Sequence, residues 1–309
     1  MDKRRKSVFI SGLAEGQTVA EFYCVKAASV RQSKKGTDYL AATLSDRTGS
    51  IEARMWSTPP NPPPQSGSFV LSKGSVELYN GQPQLNITSM QPVSAEELDI
   101  ADFLPSGDKD TEALYEQVMA AVEKLAQPYC NLLKTIMQDF KAKLIRAPAG
   151  KSYHHAYIGG LIEHIHSLCC ASIWLCEHKP YKLDRNLMVA ACVTHDLGKL
   201  WELAYETSID YSTAGQFLGH IFLGAMVVKQ YCMKLGVDKT TEAKILHVIL
   251  AHHGEKQFGS PVEPVLREAF AFHSLDKLDA TLAAIDAAPD SGGEWTQRIP
   301  MIGRSVYAR

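Results

Sequence analysis

Near residue 95 the hydrophobic period of this 309-residue chain changes. Before that point, short segments rich in β-branched and aromatic residues are separated by turn signals. "IEARMW", residues 51 to 56, sets Ile51, Ala53 and Met55 on one side and Glu52, Arg54 and Trp56 on the other. The turn signals are Lys35-Gly36, Asp46 to Gly49 and Asn80-Gly81, the last suited to a type I′ hairpin. "STPPNPPPQSG", residues 57 to 67, can only be a loop. About five strands in roughly 90 residues predict a small closed barrel. Beyond it, "DTEALYEQVMAAVEKLAQPYCNLLKTIMQDFKAKLIRA" repeats apolar residues at three- and four-residue steps, the period of helices. Further helices are expected over residues 187–197, 215–235, 239–252 and 264–283.

All eleven histidines follow the change of period. His164 lies on an apolar stripe with Tyr157, Leu161, Leu168, Ala171 and Leu175. The apolar run "LMVAACVTHDLGK" ends in His195 and Asp196. Burying two ionisable groups without compensation is costly. A single buried histidine is ordinarily a hydrogen-bonded core residue. Several on separate apolar helices, with carboxylates, point to a metal. Such donors suit Mn, Fe, Co, Ni or Zn better than Ca or Mg.

Composition bounds the rest. With 45% hydrophobic and 21% charged residues, the chain reads as a soluble globular protein with a sizeable core. No apolar run is long enough for a membrane span, and no apolar region follows the basic start "MDKRRK", so neither a membrane nor a signal peptide is expected. Seven cysteines without a CxxC pair predict a reducing, cytoplasmic setting. Residues 1 to 94 hold 11 Lys and Arg against 7 Asp and Glu, while the remainder is acidic.

"KKGTDYLAATLSDRTGSIEARMW" resembles the hairpin of OB-fold nucleic-acid-binding barrels. In such barrels, cations track the backbone and aromatics stack on bases. Lys34, Lys35 and Arg54 are the candidate cations, with Lys26, Arg31 and Arg47 in reserve. Tyr39 and Trp56 are the candidate platforms, with Phe22 and Tyr79 behind them. Any single aromatic on a small barrel is more commonly core.

The order His164, His195-Asp196, Asp276 resembles the HD phosphohydrolase superfamily. The ordered set "HHAYIGGLIEH", "HDLGK", "GQFLGH", "ILAHHGEKQFGSP" and "EAFAFHSLDKLDA", after a barrel, is similar to YhaM-type 3′→5′ exoribonucleases. So is the tail "EWTQRIPMIGRSVYAR". The resemblance implies a five-stranded OB-fold β-barrel followed by an all-α HD-domain bundle. The expected divisions are a barrel over 1–95, a linker and helical connection over 96–148, the HD domain over 149–290 and a tail over 291–309.

It also implies a ligand set. Asp196 would bridge two divalent cations, with His164, His195 and Asp276 on one and His220, His252 and His253 on the other. Adjacent residues cannot share one helical direction, so His252 and His253 both reach a metal only if the helix ends at Gly254. Asp279, three residues after Asp276, competes with it. Lys199 would hold a phosphate oxygen, and Lys151 and His155 would line the site. The metals would activate a water for in-line attack on a phosphodiester. Mn²⁺ is the first candidate, with Co²⁺, Fe²⁺, Ni²⁺ or Mg²⁺ as alternatives. The expected substrate is single-stranded RNA, with single-stranded DNA an open alternative. Two rivals remain: a phosphohydrolase of nucleotides or cyclic nucleotides with a regulatory barrel, and a non-catalytic nucleic-acid-binding protein with a degenerate metal site.

Overall fold

The computed structural model describes residues 3–33, 36–105, 107–151, 155–178, 180–206, 209–288 and 292–307. Lys34 and Lys35 lie outside the described residues. The chain divides into two units, 1–106 with 205–209, and 107–204 with 210–309.

The first unit carries five strands: β1 (Thr18–Gln32), β2 (Asp38–Asp46), β3 (Gly49–Met55), β4 (Phe69–Tyr79) and β5 (Gln82–Val93). They close into a barrel in the order β1-β2-β3-β5-β4. β3 and β5 run parallel and every other pair is antiparallel. β1 serves two seams: Thr18 to Cys24 pair with β4, and Cys24 to Gln32 pair with β2. A register shift between Val25 and Ala27 marks the bulge at which it crosses over. The alternation read in "IEARMW" holds, with Ile51 and Ala53 buried beside Tyr23, Leu40, Leu44 and Leu85. Asn80 and Gly81 take φ of 51° and 75°, as a type I′ turn requires.

The basic start of the chain is pinned to this barrel. Arg5 donates through Nε and Nη2 to Asp99 Oδ2 at 2.9 and 2.6 Å. Lys6 is buried: its ammonium lies 3.3 Å from Asp46 Oδ2, donates to the Phe22 carbonyl at 2.8 Å and covers the Tyr23 ring.

The second unit is helical: α1 (Thr111–Val122), α2 (Tyr129–Leu144), α3 (Gly160–His178), α4 (Arg185–Thr194), α5 (Lys199–Glu202), α6 (Thr213–Lys234), α7 (Lys239–Ala251) and α8 (Arg267–Asp286). Asp110, Asp184 and Asp238 cap α1, α4 and α7 by accepting from first-turn amides. The periodic run after residue 110 becomes two helices, because Pro128 cannot donate an amide hydrogen bond and stands at the start of α2. α4 is buried along its length from Leu187 to Thr194.

Two helices depart from the periodicity. α4 stops at Thr194, and a turn from His195 to Gly198 leads into short α5. Gly198 permits that turn to lie against α6, since a Cβ there would sit 1.9 Å from the His220 carbonyl oxygen. α6 is broken at Gly219, whose φ of 68° and ψ of 157° only glycine adopts readily. Among the described residues, no helix is long and apolar enough to cross a membrane.

Candidate metal centre

The turn after α4 places Asp196 at the centre of the helical unit, 3% exposed. Its two oxygens face opposite ways. Oδ2 lies 3.2 Å from His195 Nε2 and 3.8 Å from His164 Nε2. Asp276, on α8, brings Oδ1 to 3.1 Å from the same His164 nitrogen and 3.9 Å from that of His195. Oδ1 of Asp196 instead faces His220 Nε2 at 3.5 Å and His252 Nε2 at 3.8 Å. His253 joins this second group, with the ligand atoms of His220, His252 and His253 within 4.8 Å of one another. One carboxylate thus stands between two nests of donors.

Every histidine in the two nests is held by its Nδ1. That nitrogen meets Asp279 Oδ2 in His164 at 2.7 Å, the Ala191 and Cys192 carbonyls in His195 at 3.1 Å, and Glu202 Oε1 in His220 at 3.0 Å. In His252 it meets the Ile249 carbonyl at 2.6 Å, and in His253 the Phe258 carbonyl at 2.9 Å. Each partner can only accept, so Nδ1 carries a proton and Nε2 is the nitrogen turned into the nest. This is how metal-ligating imidazoles are oriented. His220 Nε2 and His252 Nε2 are buried without a hydrogen-bond partner. Two orphaned lone pairs beside one carboxylate fit a cation.

The electrostatics agree. Burial, reinforced by His195, pushes His252 well below the ordinary imidazole value, and burial with His220 lowers His253. Both rings therefore stay neutral near pH 7. Burial opposes charge on Asp196, yet Lys199 and His195 outweigh it and hold the carboxylate far below its usual range. Burial likewise opposes charge on Asp276, and His164 overcomes it. Without a cation, burial works against a charged His164, but Asp276 and Asp279 raise it to about 10. The two donor clusters are built to bind divalent metal.

Residues around the nests have distinct places. Lys199 Nζ lies 2.5 Å from Asp196 Oδ2, the oxygen on the first nest. Asp279 does not share the place of Asp276: it holds the far nitrogen of His164 and accepts from Ser167 Oγ. His155 has both ring nitrogens engaged, with Tyr157 Oη at 2.9 Å and Asp279 Oδ2 at 3.2 Å. It stands behind His164 rather than facing the donors. Lys151 is half-exposed and paired with Asp210 at 2.6 Å. α7 ends at Ala251, so His252 and His253 leave the helix and their rings can meet. His273 anchors the His252 carbonyl at 2.8 Å, and His247 accepts from the Val265 amide.

Glu202 was not singled out from sequence. Its Oε1 accepts from both the backbone amide and Nδ1 of His220, each at 3.0 Å. The break at Gly219 frees that amide. The only signal in the sequence was the place of Glu202 six residues beyond Asp196, in "HDLGKLWEL".

The barrel has its own candidate face. Tyr39 and Trp56 stack with ring centroids 4.5 Å apart, and the Arg54 guanidinium lies 5.5 Å from the Tyr39 ring. Trp56 is 53% exposed and borders a cavity of about 560 Å³ with Val30 and the start of the proline loop.

Residues 161–281 match the model of the HD domain. A 3′-5′ exoribonuclease YhaM from Geobacillus sp. (strain WCH70) is 30% identical over 301 residues, covering 94% of this chain and 92% of its own. The chain belongs to the YhaM family. Another YhaM, from Halalkalibacterium halodurans, is 29% identical over 299 residues, covering 94% of this chain and 93% of its own. Among solved structures, the second OB-fold domain of replication protein A from Methanococcus maripaludis matches 29% of this chain and 96% of that one at 20% identity, with a TM-score of 0.25.

Proposed function

We propose that this chain is a metal-dependent 3′→5′ exoribonuclease that hydrolyses single-stranded RNA from its 3′ end to nucleoside 5′-monophosphates. The observation that carries the metal chemistry is Asp196, whose two oxygens face two separate histidine nests. Its YhaM membership carries the polarity and the substrate class. His164, His195, Asp196 and Asp276 would hold one cation, and Asp196, His220, His252 and His253 the second, with Mn²⁺ the first candidate. When bound, such cations act as Lewis acids that lower the pKa of water and offset charge on the reacting phosphate.

The chain's own residues do the rest. Asp279 and Glu202 fix the tautomer and aim of His164 and His220. Lys199 neutralises Asp196 and is poised to move onto a phosphate oxygen. Tyr39, Trp56 and Arg54 offer stacking and charge to unpaired nucleotides. The division of labour runs between the barrel, residues 1–95, and the HD domain, residues 149–290. A cytoplasmic setting is supported by the cysteines, none of which forms a disulfide among the described residues.

The test is a 5′-labelled oligoribonucleotide with Mn²⁺, run beside cyclic AMP and deoxynucleoside triphosphates. A ladder shortening from the 3′ end is expected, with no ladder from His195→Ala or Asp196→Ala. Rapid mononucleotide turnover without a ladder would replace this reading with a small-nucleotide phosphohydrolase. Full hydrolysis by both variants would overturn the metal mechanism.

A further inference from the structure

The cavity in front of the two nests, about 680 Å³, has one wall that carries no metal donor. Met301, Ile302 and Arg304 form it, and all three come from the C-terminal tail. There the chain folds back on itself: Trp295 bridges Tyr307 and Ile299 bridges Arg304. The Thr296 amide donates to the Val306 carbonyl at 2.9 Å, and the Gly303 amide to that of Ile299 at 2.8 Å. Ile299 is buried, which seats the hairpin, and Gly303 turns it with φ of 76°. Lys277 and Phe258 line the same cavity, with the ammonium 5.7 Å from the ring. Among the described residues, neither Arg304 nor Lys277 forms an ion pair.

The chemistry of this wall is specific. Two cations with no ion-pair partner among the described residues, beside a site for phosphodiester cleavage, favour phosphate. Phe258, Met301 and Ile302 supply apolar surface of the kind on which a base rests. A cavity of this size suits a small ligand such as one nucleotide. The hairpin lines the same cavity as the metal donors Asp196, His252, His253 and Asp276.

We propose that the hairpin 295–307 is the terminal-nucleotide subsite. Arg304 and Lys277 hold the scissile phosphate, which leaves with the 3′-terminal nucleotide while the preceding residue keeps the 3′-oxygen. Phe258, Met301 and Ile302 hold the base of the 3′-terminal nucleotide. The hairpin stops the strand beyond it, which restricts cleavage to chain ends. The inference rests on the exoribonuclease reading above.

The experiment uses the full chain with Mn²⁺ on linear and circular single-stranded RNA of the same sequence. The unaltered protein shortens the linear form and leaves the circle intact. Arg304→Met raises KM for the linear form about tenfold or more, with a much smaller change in kcat. Its salt dependence of log kcat/KM becomes shallower by about 0.7. A chain ending at Gly293 opens the circle. An unchanged KM in Arg304→Met, or a folded truncation that still spares the circle, overturns the proposal while the exoribonuclease reading stands. If circular dichroism shows the truncation unfolded, Ile302→Asp in the full chain takes its place: KM must rise, and an unchanged KM is equally fatal. If the unaltered protein opens the circle, the exonuclease reading itself falls.

Discussion

Asp279 Oδ2 holds His164 Nδ1 at 2.7 Å, from α8 to α3, while Asp276 Oδ1 lies 3.1 Å from the opposite nitrogen of the same ring. Two aspartates one helical turn apart thus take different tasks on one imidazole. Asp276 shares the donor side, and Asp279 aims the ring. Asp279→Asn keeps the shape of the side chain but loses its charge. Metal affinity should fall about 10–100-fold, as it does for other partners of ligating imidazoles. Competition with a fluorescent chelator measures it, and an unchanged affinity would remove Asp279 from this role.

Metal removal should cost stability, since the nests exist only in the folded chain. Mn²⁺ at about 100 times its Kd should add about 2.7 kcal/mol, and EDTA should remove it. His164, charged without a cation, must lose its Nε2 proton to serve as a ligand, so cation uptake should release protons and tighten as pH rises. Calorimetry in buffers of different ionisation enthalpy reads the proton count. No release would contradict ligation by His164.

Trp56→Ala removes half of the stacked pair with Tyr39. Base stacking is worth about 1–3 kcal/mol per base. Affinity for a single-stranded oligonucleotide should fall about five- to 150-fold. Hydrolysis of bis-p-nitrophenyl phosphate, which needs no second nucleotide, gives the comparison. Equal losses on both substrates would show that the barrel has unfolded or that the division of labour is wrong.

Arg5 gives the barrel a pH-dependent tie. Its hydrogen bond depresses the pKa of Asp99 below the ordinary carboxylate value. A depressed carboxylate stabilises the folded state above its unfolded pKa of about 3.9, and that contribution fades as pH falls through the lower folded value. Asp99→Asn should therefore melt slightly below the unaltered protein at pH 7, and the gap should close below about pH 4. A gap that widens in acid would reverse the sign of the argument. The pair is exposed, so the effect is small.

Much of the centre was legible because its residues carry local signals. His164 interrupts an apolar stripe, and His195 and Asp196 close an apolar run; such positions need partners. The barrel was legible from alternation in "IEARMW" and from Asn80-Gly81. What escaped depends on where helices stop and meet. The ends of α4 and α7 decide where His195, Asp196, His252 and His253 point, and a helical period does not reveal its own end. Glu202 reaches His220 only because Gly219 breaks α6. The separate tasks of Asp276 and Asp279 follow from the meeting of α3 with α8. The tail with Arg304 was legible only as a resemblance, and its spacing did not reveal that Arg304 lines one cavity with Lys277 and the metal donors.

The bulge in β1 between Val25 and Ala27 acts as a phase correction. One strand must satisfy two partners, and side chains alternate with a period of two. The extra residue lets the inward set on the β4 side and the inward set on the β2 side each fall in step. Tyr39 pairs with Arg31 on the far side of that correction, and Trp56 follows Met55, which pairs with Leu40. Deleting Lys26 would shift the β2 half by one place and turn its faces over. The face that Arg31 presents beside Tyr39 is thus set upstream, at the bulge.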